Sequence, residues 1–357
     1  MSSNISNIYK EYQDQVDSAR NTGLPLNIVA GNTKYFYGRK TENEKIFAGK
    51  ISGVISYEPT ELVITAYAGT TLKEINATLA EKRQMLAFEP PAFGEQATLG
   101  GTVACGLSGP RRPYVGSVRD FILGIKCLNG KGEIITFGGQ VMKNVAGYDV
   151  SRLMTGAMGT LGLLLEISVK VLPLPEHEIS LTGKADFNSA LDNMNVWAGN
   201  SPSLSASAFD GTNLNIRLSG KQSAVESARK KFNMEEFAAG DEYWQQLREH
   251  QLAYFQGDDR SLWRLSVPSM TPEIKLSGDW LMEWGGAVRW LKSDETSGKV
   301  RKLAEQAGGY ATLFRNNDDQ SDVFHPLSPA LKNLHLRLKQ AFDPDRVFNR
   351  GRMYPDF

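Results

Sequence analysis

Two glycine-rich segments constrain this chain more than any other feature of its sequence. The first, LGGTVACGLSGPRRPYVGSVRDFILG, spans residues 99–124, and the second, GAMGTLGLLLEISVKVLPLP, spans residues 156–175. Glycine lets backbone N–H groups approach an anion or a flat ring without an intervening side chain, and Arg111 and Arg112 can offset negative charge. Each segment leads into an apolar, strand-like run. Together they predict one large, flat, anionic ligand that several loops hold.

The composition narrows the class of protein. A chain of 357 residues has room for two domains, each with its own core. Forty basic residues balance forty acidic ones, which argues against nucleic acid as a partner. The N-terminal segment is polar and lacks the apolar stretch of a secretory signal, and the apolar runs are too short to span a membrane. We expect a cytoplasmic protein without a transmembrane segment.

Cysteine and histidine are both scarce. The two cysteines, Cys105 and Cys127, fit neither a disulfide framework nor the ligand set of a metal or an iron–sulfur cluster. His325 and His335 are ten residues apart, no third ligand is evident, and His335 falls within a predicted helix. We therefore predict no metal site.

Hydrophobic spacing predicts the order of helices and strands. The first half is expected to contain a helix over residues 5–20, a strand at 25–31, a Thr-capped helix from residue 70 and a hairpin over 120–139. The composition changes near residues 172–177, and the second half alternates strands and helices in the manner of a split β-α-β unit. These patterns predict an α+β chain with a first domain over 1–175, a second α+β domain with an antiparallel sheet over 176–340, and a C-terminal tail over 341–357 that returns toward the first domain.

A third loop precedes the two glycine segments. Gly31-Asn32-Thr33-Lys34 directly follows the predicted strand and offers small residues, a hydroxyl and an ammonium group, which suit a pyrophosphate. An ordinary strand-to-loop turn is the alternative. The loop matches neither GxGxxG nor GxxxxGK[ST], which excludes the Rossmann and P-loop interpretations.

The three segments in this order resemble a known family. AGNTKYFYG, ATLGGTVACGLSGPRRPYVGSVRDFILG and KNVAGYDVSRLMTGAMGTLGLLLEISVKVLPLP are similar to the FAD-binding domain of the vanillyl-alcohol oxidase/p-cresol methylhydroxylase superfamily. Within it, the chain resembles the FAD-binding E subunits of bacterial glycolate oxidases, and its C-terminal VFNRGRMYPDF is similar to the ending of that family. The resemblance covers most of residues 25–175 and returns at 260–292 and 340–357.

The resemblance implies a p-cresol methylhydroxylase-type FAD-binding domain followed by a cap domain. It implies that the first loop holds the FAD pyrophosphate, that the second segment wraps the pyrophosphate and the flavin, and that the third lies beside the adenosine, with Ile167 as a backbone contact. The corresponding residues are Gly31, Asn32, Thr33, Lys34, Thr98, Leu99, Gly100, Gly101, Thr102, Ser108, Gly109, Gly116, Gly159, Thr160, Leu161, Gly162 and Ile167. Asn32 stands where the family usually has glycine, but asparagine tolerates unusual backbone angles.

Some members of this superfamily attach FAD covalently through a histidine of the first loop. The first histidine of this chain is His177, which lies beyond the predicted FAD domain. We therefore expect non-covalent FAD. Cys105 is an alternative attachment thiol, although a small buried residue in a tight loop is the favoured interpretation.

A hydroxy-acid substrate requires a cationic pocket beside the flavin. Arg264 and Arg289 are candidates for binding the substrate carboxylate, because each lies in a strand-like run that is rich in tryptophan. The alternative is that the tryptophans form the core of a sheet and that both arginines form surface or interdomain pairs.

The resemblance further implies a subunit of a glycolate oxidase or dehydrogenase complex that oxidises glycolate to glyoxylate. The implied partners are a second flavoprotein subunit and an iron–sulfur subunit that passes electrons onward, with peripheral association at the inner face of the cytoplasmic membrane through those partners. Two alternatives stay open. The chain is a flavin scaffold or relay without its own turnover, or it is a stand-alone flavin oxidoreductase for another hydroxy acid or a sugar lactone.

Overall fold

The computed structural model describes residues 2–139, 149–257, 259–315 and 322–357. Helices and strands alternate irregularly through the first half. In chain order they are α1 (Ser2–Thr22), β1 (Leu26–Val29), β2 (Glu44–Phe47), β3 (Val54–Glu58), β4 (Val63–Tyr67), α2 (Leu72–Ala80), β5 (Gln84–Met85), α3 (Leu99–Cys105), α4 (Arg112–Val115), α5 (Val118–Phe121), β6 (Ile122–Leu128), β7 (Ile134–Gly138), α6 (Val150–Leu153), β8 (Leu163–Lys170) and β9 (Leu172–Pro173).

A five-stranded antiparallel sheet in the order β3-β4-β8-β6-β7 organises this half. Helix α2 buries Leu72, Ile75 and Leu79 in the core of that sheet, at the spacing of one helical face. The Thr71 side chain accepts a hydrogen bond from the Glu74 amide at 3.1 Å, so the predicted threonine cap is confirmed. The predicted hairpin is confirmed as the antiparallel pair β6–β7.

A smaller layer precedes this sheet and positions the first loop. Strand β1 pairs in parallel with β2, and the helix α1 buries Tyr12 and Val16 against Leu26 and Ile46 of these strands. Because β1 ends at Val29, the Gly31–Lys34 loop leaves the edge of this layer directly.

The second half forms one large antiparallel sheet of eight strands, in the order β13-β10-β12-β11-β15-β16-β14-β17. The α+β class with an antiparallel second sheet is therefore confirmed. Its elements, in chain order, are β10 (His177–Lys184), α7 (Phe187–Asn200), β11 (Leu204–Phe209), β12 (Asn213–Gly220), α8 (Gln222–Arg229), β13 (Glu235–Glu236), α9 (Gly240–Arg248), β14 (Ser261–Ser266), β15 (Asp279–Glu283), β16 (Val288–Ser293), α10 (Ser297–Gln306) and β17 (Tyr310–Arg315).

The register of β14 and β16 decides which of their side chains share a face of the sheet. Arg264 of β14 lies opposite Trp290 of β16, whereas Leu265 lies opposite Arg289. Successive residues of a strand point to opposite faces, so Arg264 and Arg289 lie on different faces of the sheet.

The C-terminal segment packs against the first half. The last helix, α11 (Pro329–Phe342), places Leu338 and Phe342 on the core of the five-stranded sheet, although the sequence-based boundary assigns most of this helix to the second domain. Beyond it, the amide of Leu26 donates a hydrogen bond to Val347 O at 2.7 Å. Of the helices that the structure describes, none is both long enough and apolar enough to cross a bilayer.

Candidate functional site

The three loops predicted from the sequence meet around one cleft of about 930 Å³, here called the loop cleft. The loop after β1, the start of α3 and the turn before β8 each contribute a wall, and the C-terminal tail contributes a fourth. Among the predicted cofactor residues, those that line the loop cleft are Gly31, Asn32, Thr33, Lys34, Thr98, Gly100, Gly101, Gly159 and Gly162.

Glycine is required at several of these positions because a side chain would collide with neighbouring backbone. A Cβ at Gly31 would overlap the carbonyl oxygen of Gln96, and one at Gly162 would lie 2.7 Å from Leu128 O. A Cβ at Gly100 would lie 2.8 Å from the Ala68 side chain. Glycine at these three positions therefore lets the loops pack closely against neighbouring segments, and this packing sets the shape of the loop cleft.

Lys34 of the first loop supplies one of the positive charges of the loop cleft. Its side chain is buried, and Nζ donates a hydrogen bond to Ala92 O at 3.2 Å. Burial lowers the pKa of Lys34, while Cys105 and Glu249 oppose that shift. A bound anion would compensate the cost of burying this ammonium group. Asn32 has a φ of 54°, as its substitution for glycine predicts.

Helix α3 contributes less through its amides than the sequence suggests. Leu99 N donates to Thr70 O at 2.8 Å, Gly100 N to Ala68 O at 2.7 Å, and Gly101 N to the Thr98 hydroxyl at 3.1 Å. These donors already have partners within the chain. The contribution of α3 to the loop cleft is thus its bare glycine surface rather than its free N–H groups.

The remaining predicted cofactor residues do not line the loop cleft. Leu99, Leu161 and Ile167 are buried in the core of the five-stranded sheet. Thr102 is also buried, and Thr160 donates its hydroxyl proton to Ala157 O at 2.7 Å. Ser108 and Gly109 line a neighbouring cleft, and Gly116 faces Asp120. Residues 143–148, which the third resembling segment includes, lie outside the described residues.

The C-terminal tail supplies loop-cleft residues to which the sequence analysis gave no role. The Asn349 carboxamide accepts from Ile28 N at 2.7 Å and donates to Met158 O at 2.6 Å, which joins the first loop to the third. The guanidinium of Arg352 donates to the carbonyls of Tyr35 and Tyr37. The sequence VFNRGRMYPDF marked this tail as similar to the ending of the family. Only the fold shows that the tail packs beside the loop cleft.

A second cleft of about 340 Å³, here called the interface cleft, lies between the loops of the first half and the eight-stranded sheet. Pro91, Phe93 and residues 107–110 form its wall on the loop side. From the second half it is lined by Leu247, Arg248, His250, Arg264, Glu283, Trp284, Trp290 and Phe314. Residues 107–110 follow Cys105 of the loop cleft almost directly, so the two clefts are adjacent along the chain.

Arg264 lines the interface cleft, and Arg112, which does not line it, lies against the same tryptophan. The guanidinium of Arg264 lies 5.0 Å from the ring centroid of Trp284, and that of Arg112 lies 4.7 Å from the same ring. Burial and the charge of Arg264 lower the pKa of Arg112. Among the described residues, neither arginine forms an ion pair with a carboxylate. Two unneutralised guanidinium groups fixed on one aromatic ring are suited to a small carboxylate.

Arg289 is not part of this arrangement, which corrects its interpretation as a second carboxylate ligand. Its side chain is buried on the opposite face of the sheet and donates hydrogen bonds to the carbonyls of Gly286, Thr271 and Pro272. Burial lowers the pKa of Arg289 to about 10. The residue ties the turn after β15 to the loop before it.

Two buried titratable groups in the interface cleft were missed by the sequence analysis. His250 stacks on Phe255 with ring centroids 4.0 Å apart, and its Nδ1 has no hydrogen-bond partner among the described residues. Burial, with help from Arg315 and Arg264, lowers the pKa of His250 well below its ordinary value. Burial raises the pKa of Glu283 to about 7. Glu283 ends a short strand and His250 follows a helix, and neither residue belongs to a sequence motif that would mark it as functional.

A buried ion cluster joins the loop side of the interface cleft to the eight-stranded sheet. Arg217 of β12 donates to Glu89 at 2.8 Å, and Arg111 donates to Glu89 at 3.2 Å and also to Glu178 of β10. Arg111, which the sequence suggested for charge compensation at the ligand, is therefore engaged in holding the two halves together.

Comparison with known proteins gives one family match and several relatives. The family of the FAD binding domain matches residues 9–138. The glycolate oxidase subunit GlcE of Escherichia coli K12 is 46% identical over 343 residues, which cover 96% of each chain. A D-lactate dehydrogenase of Anaerostipes hadrus is 36% identical over 37% of this chain and 27% of its own. The glycolate oxidase subunit GlcD of Bacillus subtilis 168 is 33% identical over 36% of this chain and 27% of its own.

Solved structures show the same fold at low sequence identity. p-Cresol methylhydroxylase with substrate bound matches 98% of this chain and 87% of its own, with a TM-score of 0.71 and 16% identity. Alkyldihydroxyacetonephosphate synthase matches 95% of this chain and 73% of its own, with a TM-score of 0.65 and 14% identity. The predicted p-cresol methylhydroxylase-type fold is confirmed.

Proposed function

The chain belongs to the family of the glycolate oxidase subunit GlcE and is an FAD-binding oxidoreductase, and on that premise we propose that it oxidises glycolate to glyoxylate as one subunit of a complex. Electrons would leave its flavin for an iron–sulfur partner. The observation that carries the proposal is the pair Arg112 and Arg264 on Trp284, at a cleft adjacent to the FAD-binding loops.

The loop cleft fits FAD, because its lining combines glycines from all three loops with the cationic side chains of Lys34 and Arg352. Lys34 would balance the charge of the phosphates, and Asn349 and Arg352 would fix the loops around them. When bound, FAD supplies an acceptor for a hydride. The binding and the orientation of the substrate would fall to side chains of this protein.

In the interface cleft, Arg264 would bind the carboxylate of glycolate and so fix the position of its α-carbon, while Arg112 beside the same tryptophan would add positive charge. Phe93, Trp290 and Phe314 form an aromatic wall that limits the access of water. The interface cleft would therefore orient the substrate and exclude water from it.

The proposed partners rest on the relationship to the glycolate oxidase subunit GlcE, whose name describes one subunit of a larger oxidase. We propose a second flavoprotein subunit and an iron–sulfur subunit as those partners. The sequence of this chain offers Cys105 and Cys127, whereas an iron–sulfur cluster is usually held by four cysteine thiolates. In this proposal the complex works in the cytoplasm and reaches the membrane only peripherally, through those partners.

The test is anaerobic mixing of the FAD-loaded chain with glycolate while the flavin absorbance is followed. We expect bleaching, and we expect Arg264→Gln to weaken glycolate binding roughly tenfold to a hundredfold, the value of a charge-assisted hydrogen bond. Arg119→Gln on the exposed face of α5 is the matched control and should leave the titration unchanged.

Two outcomes would replace the proposal. If glycolate leaves the flavin oxidised and turnover returns only when the partner subunits are added, the chain is a flavin scaffold or relay. If a sugar lactone or a different hydroxy acid bleaches the flavin and glycolate does not, the chain is an oxidoreductase for that other substrate.

A further inference from the structure

Glu283 is the one carboxylate that lines the interface cleft within the described residues. It is the last residue of β15, and its position is fixed by pairing with Val288 across the turn to β16. Trp290 Nε1 donates a hydrogen bond of 2.8 Å to Glu283 Oε1. The side chain therefore has one defined orientation in a nearly water-free site.

The groups that face Glu283 come from several elements. Arg264 of β14 favours its ionised form, as does the indole N–H of Trp290, whereas burial disfavours it. Tyr243 of α9 is a buried neutral phenol whose own pKa is raised by its burial. His250 follows α9, and Arg112 of α4 reaches the site over Trp284. Burial outweighs the two favourable interactions, so Glu283 changes protonation state near neutral pH.

We propose that Glu283 is the proton acceptor for the hydroxyl group of the substrate. The inference rests on the proposed function. The hydroxyl proton passes to the Glu283 carboxylate, and the O–H bonding pair becomes the second bond of the new carbonyl. FAD, when bound, would supply the two-electron acceptor for the hydride of the α-carbon, so one two-electron oxidation would be balanced by one two-electron reduction. The Glu283 carboxyl later releases its proton to water.

His250 is the other candidate base in the interface cleft, and the structure favours Glu283 over it. His250 is enclosed by the rings of Phe93, Phe255, Trp290 and Phe314, and the charges of Arg315 and Arg264 disfavour an imidazolium there. Its lowered pKa makes it a weak base. Glu283 lies beside Arg264, the residue that would hold the substrate carboxylate.

The first test uses the FAD-loaded full chain and two variants. Glu283→Gln keeps an acceptor for the Trp290 N–H but cannot take a proton. We expect the rate of flavin reduction by glycolate to fall by about 10²–10⁴-fold, the usual contribution of a general base. Binding of oxalate, followed through the flavin spectrum, should be nearly unchanged. Glu235→Gln, at an exposed position of β13, is the control and should reduce at the wild-type rate.

The second test is the pH dependence, which a merely structural role would not change. Reduction by the wild type should accelerate as the pH rises through about 7, because the base must be ionised. Trp290→Phe removes the donor that lowers the pKa of Glu283, so the rise should move to higher pH by about one pH unit. An infrared titration of the chain without glycolate should show a buried carboxyl band that is lost on raising the pH through about 7 and is missing in Glu283→Gln.

The outcomes separate the inference from the proposed function. If glycolate reduces the wild type and Glu283→Gln reduces at the same rate with the same pH profile, Glu283 is not the base, while the proposed function stands. If glycolate does not reduce the wild type, the proposed function fails and the inference fails with it. An infrared band that is unaffected by Glu283→Gln would also overturn the inference, even if Glu283→Gln lost activity through misfolding.

Discussion

Gly31 decides at the scale of one residue whether the first loop can form. We predict that Gly31→Ala reduces the amount of FAD that copurifies with the chain at least about tenfold, because its Cβ would overlap the Gln96 carbonyl and push two walls of the loop cleft apart. The measurement is the ratio of flavin to protein absorbance after gel filtration.

Gly49→Ala is the matched control for that substitution. A Cβ at Gly49 meets no atom within 4 Å, so this variant should keep its full complement of FAD. A Gly31→Ala variant with stoichiometric FAD would show that the loop after β1 does not form part of the cofactor site.

Cys105 is the residue on which the mode of FAD attachment depends. It lines the loop cleft, and burial raises the pKa of its thiol, which disfavours the reactive thiolate. No histidine precedes His177 in the sequence. We predict that acid precipitation leaves all flavin in the supernatant, measured by fluorescence, and that Cys105→Ser still binds FAD. Flavin in the wild-type pellet that is absent from the Cys105→Ser pellet would identify a covalent thioether instead.

At the scale of elements, the helices and hairpins that carry local sequence signals could be predicted. Features that depend on how strands pair in the sheet could not. The helix α2 is marked by its threonine cap and apolar spacing, and the β6–β7 hairpin by its turn residues. Strand β15 was missed because its five residues carry too short an apolar run to distinguish it from a loop. The face of Arg289 was not predictable either, because every residue of β16 is buried and the strand shows no polar alternation.

Helix α11 is attached to the third loop through Lys339, which also forms a buried ion pair at the end of the helix. Lys339 Nζ donates to Asp343 at 2.8 Å and to Thr160 O at 2.6 Å, and the two side chains of the pair are 2% and 0% exposed. We predict that Lys339→Met lowers the free energy of unfolding by about 3–5 kcal/mol, because Asp343 is left as an unpaired buried charge. Urea unfolding followed by tryptophan fluorescence measures this.

Lys332→Met is the matched control, since it makes the same chemical change at an exposed position of the same helix. Lys332 pairs with Asp356, but both side chains are about half exposed, so the loss should stay below about 1 kcal/mol. Equal stabilities of the two variants would mean that α11 does not depend on the buried pair. Weaker FAD binding in Lys339→Met alone would show that Thr160 transmits the loss to the loop cleft.

At the scale of the whole molecule, the loop cleft was visible in the sequence and the interface cleft was not. Runs of glycine are a local property, so the loops were identified before the fold was known. The interface cleft combines residues 107–110 of the first half with Arg264 and Glu283 of the second, and these meet only because the eight-stranded sheet lies over the loops. Sheet topology and strand register created this cleft, and neither follows from residue spacing.

The ion cluster that joins the two halves predicts how stability depends on pH. Burial alone would raise the pKa of Glu178, but Arg217 and Arg111 outweigh it, and the net pKa lies below the ordinary value. Ionised Glu178 therefore stabilises the folded state at pH above about 4.3, and this contribution is lost as the pH falls through its lowered pKa. We predict that Glu178→Gln costs about 2–3 kcal/mol at about pH 7 and much less near about pH 3. Urea unfolding at both pH values measures the difference, with Glu235→Gln as the exposed control. A Glu178→Gln penalty that stays constant between the two pH values would mean that the charge of Glu178 does not hold the eight-stranded sheet to the loops.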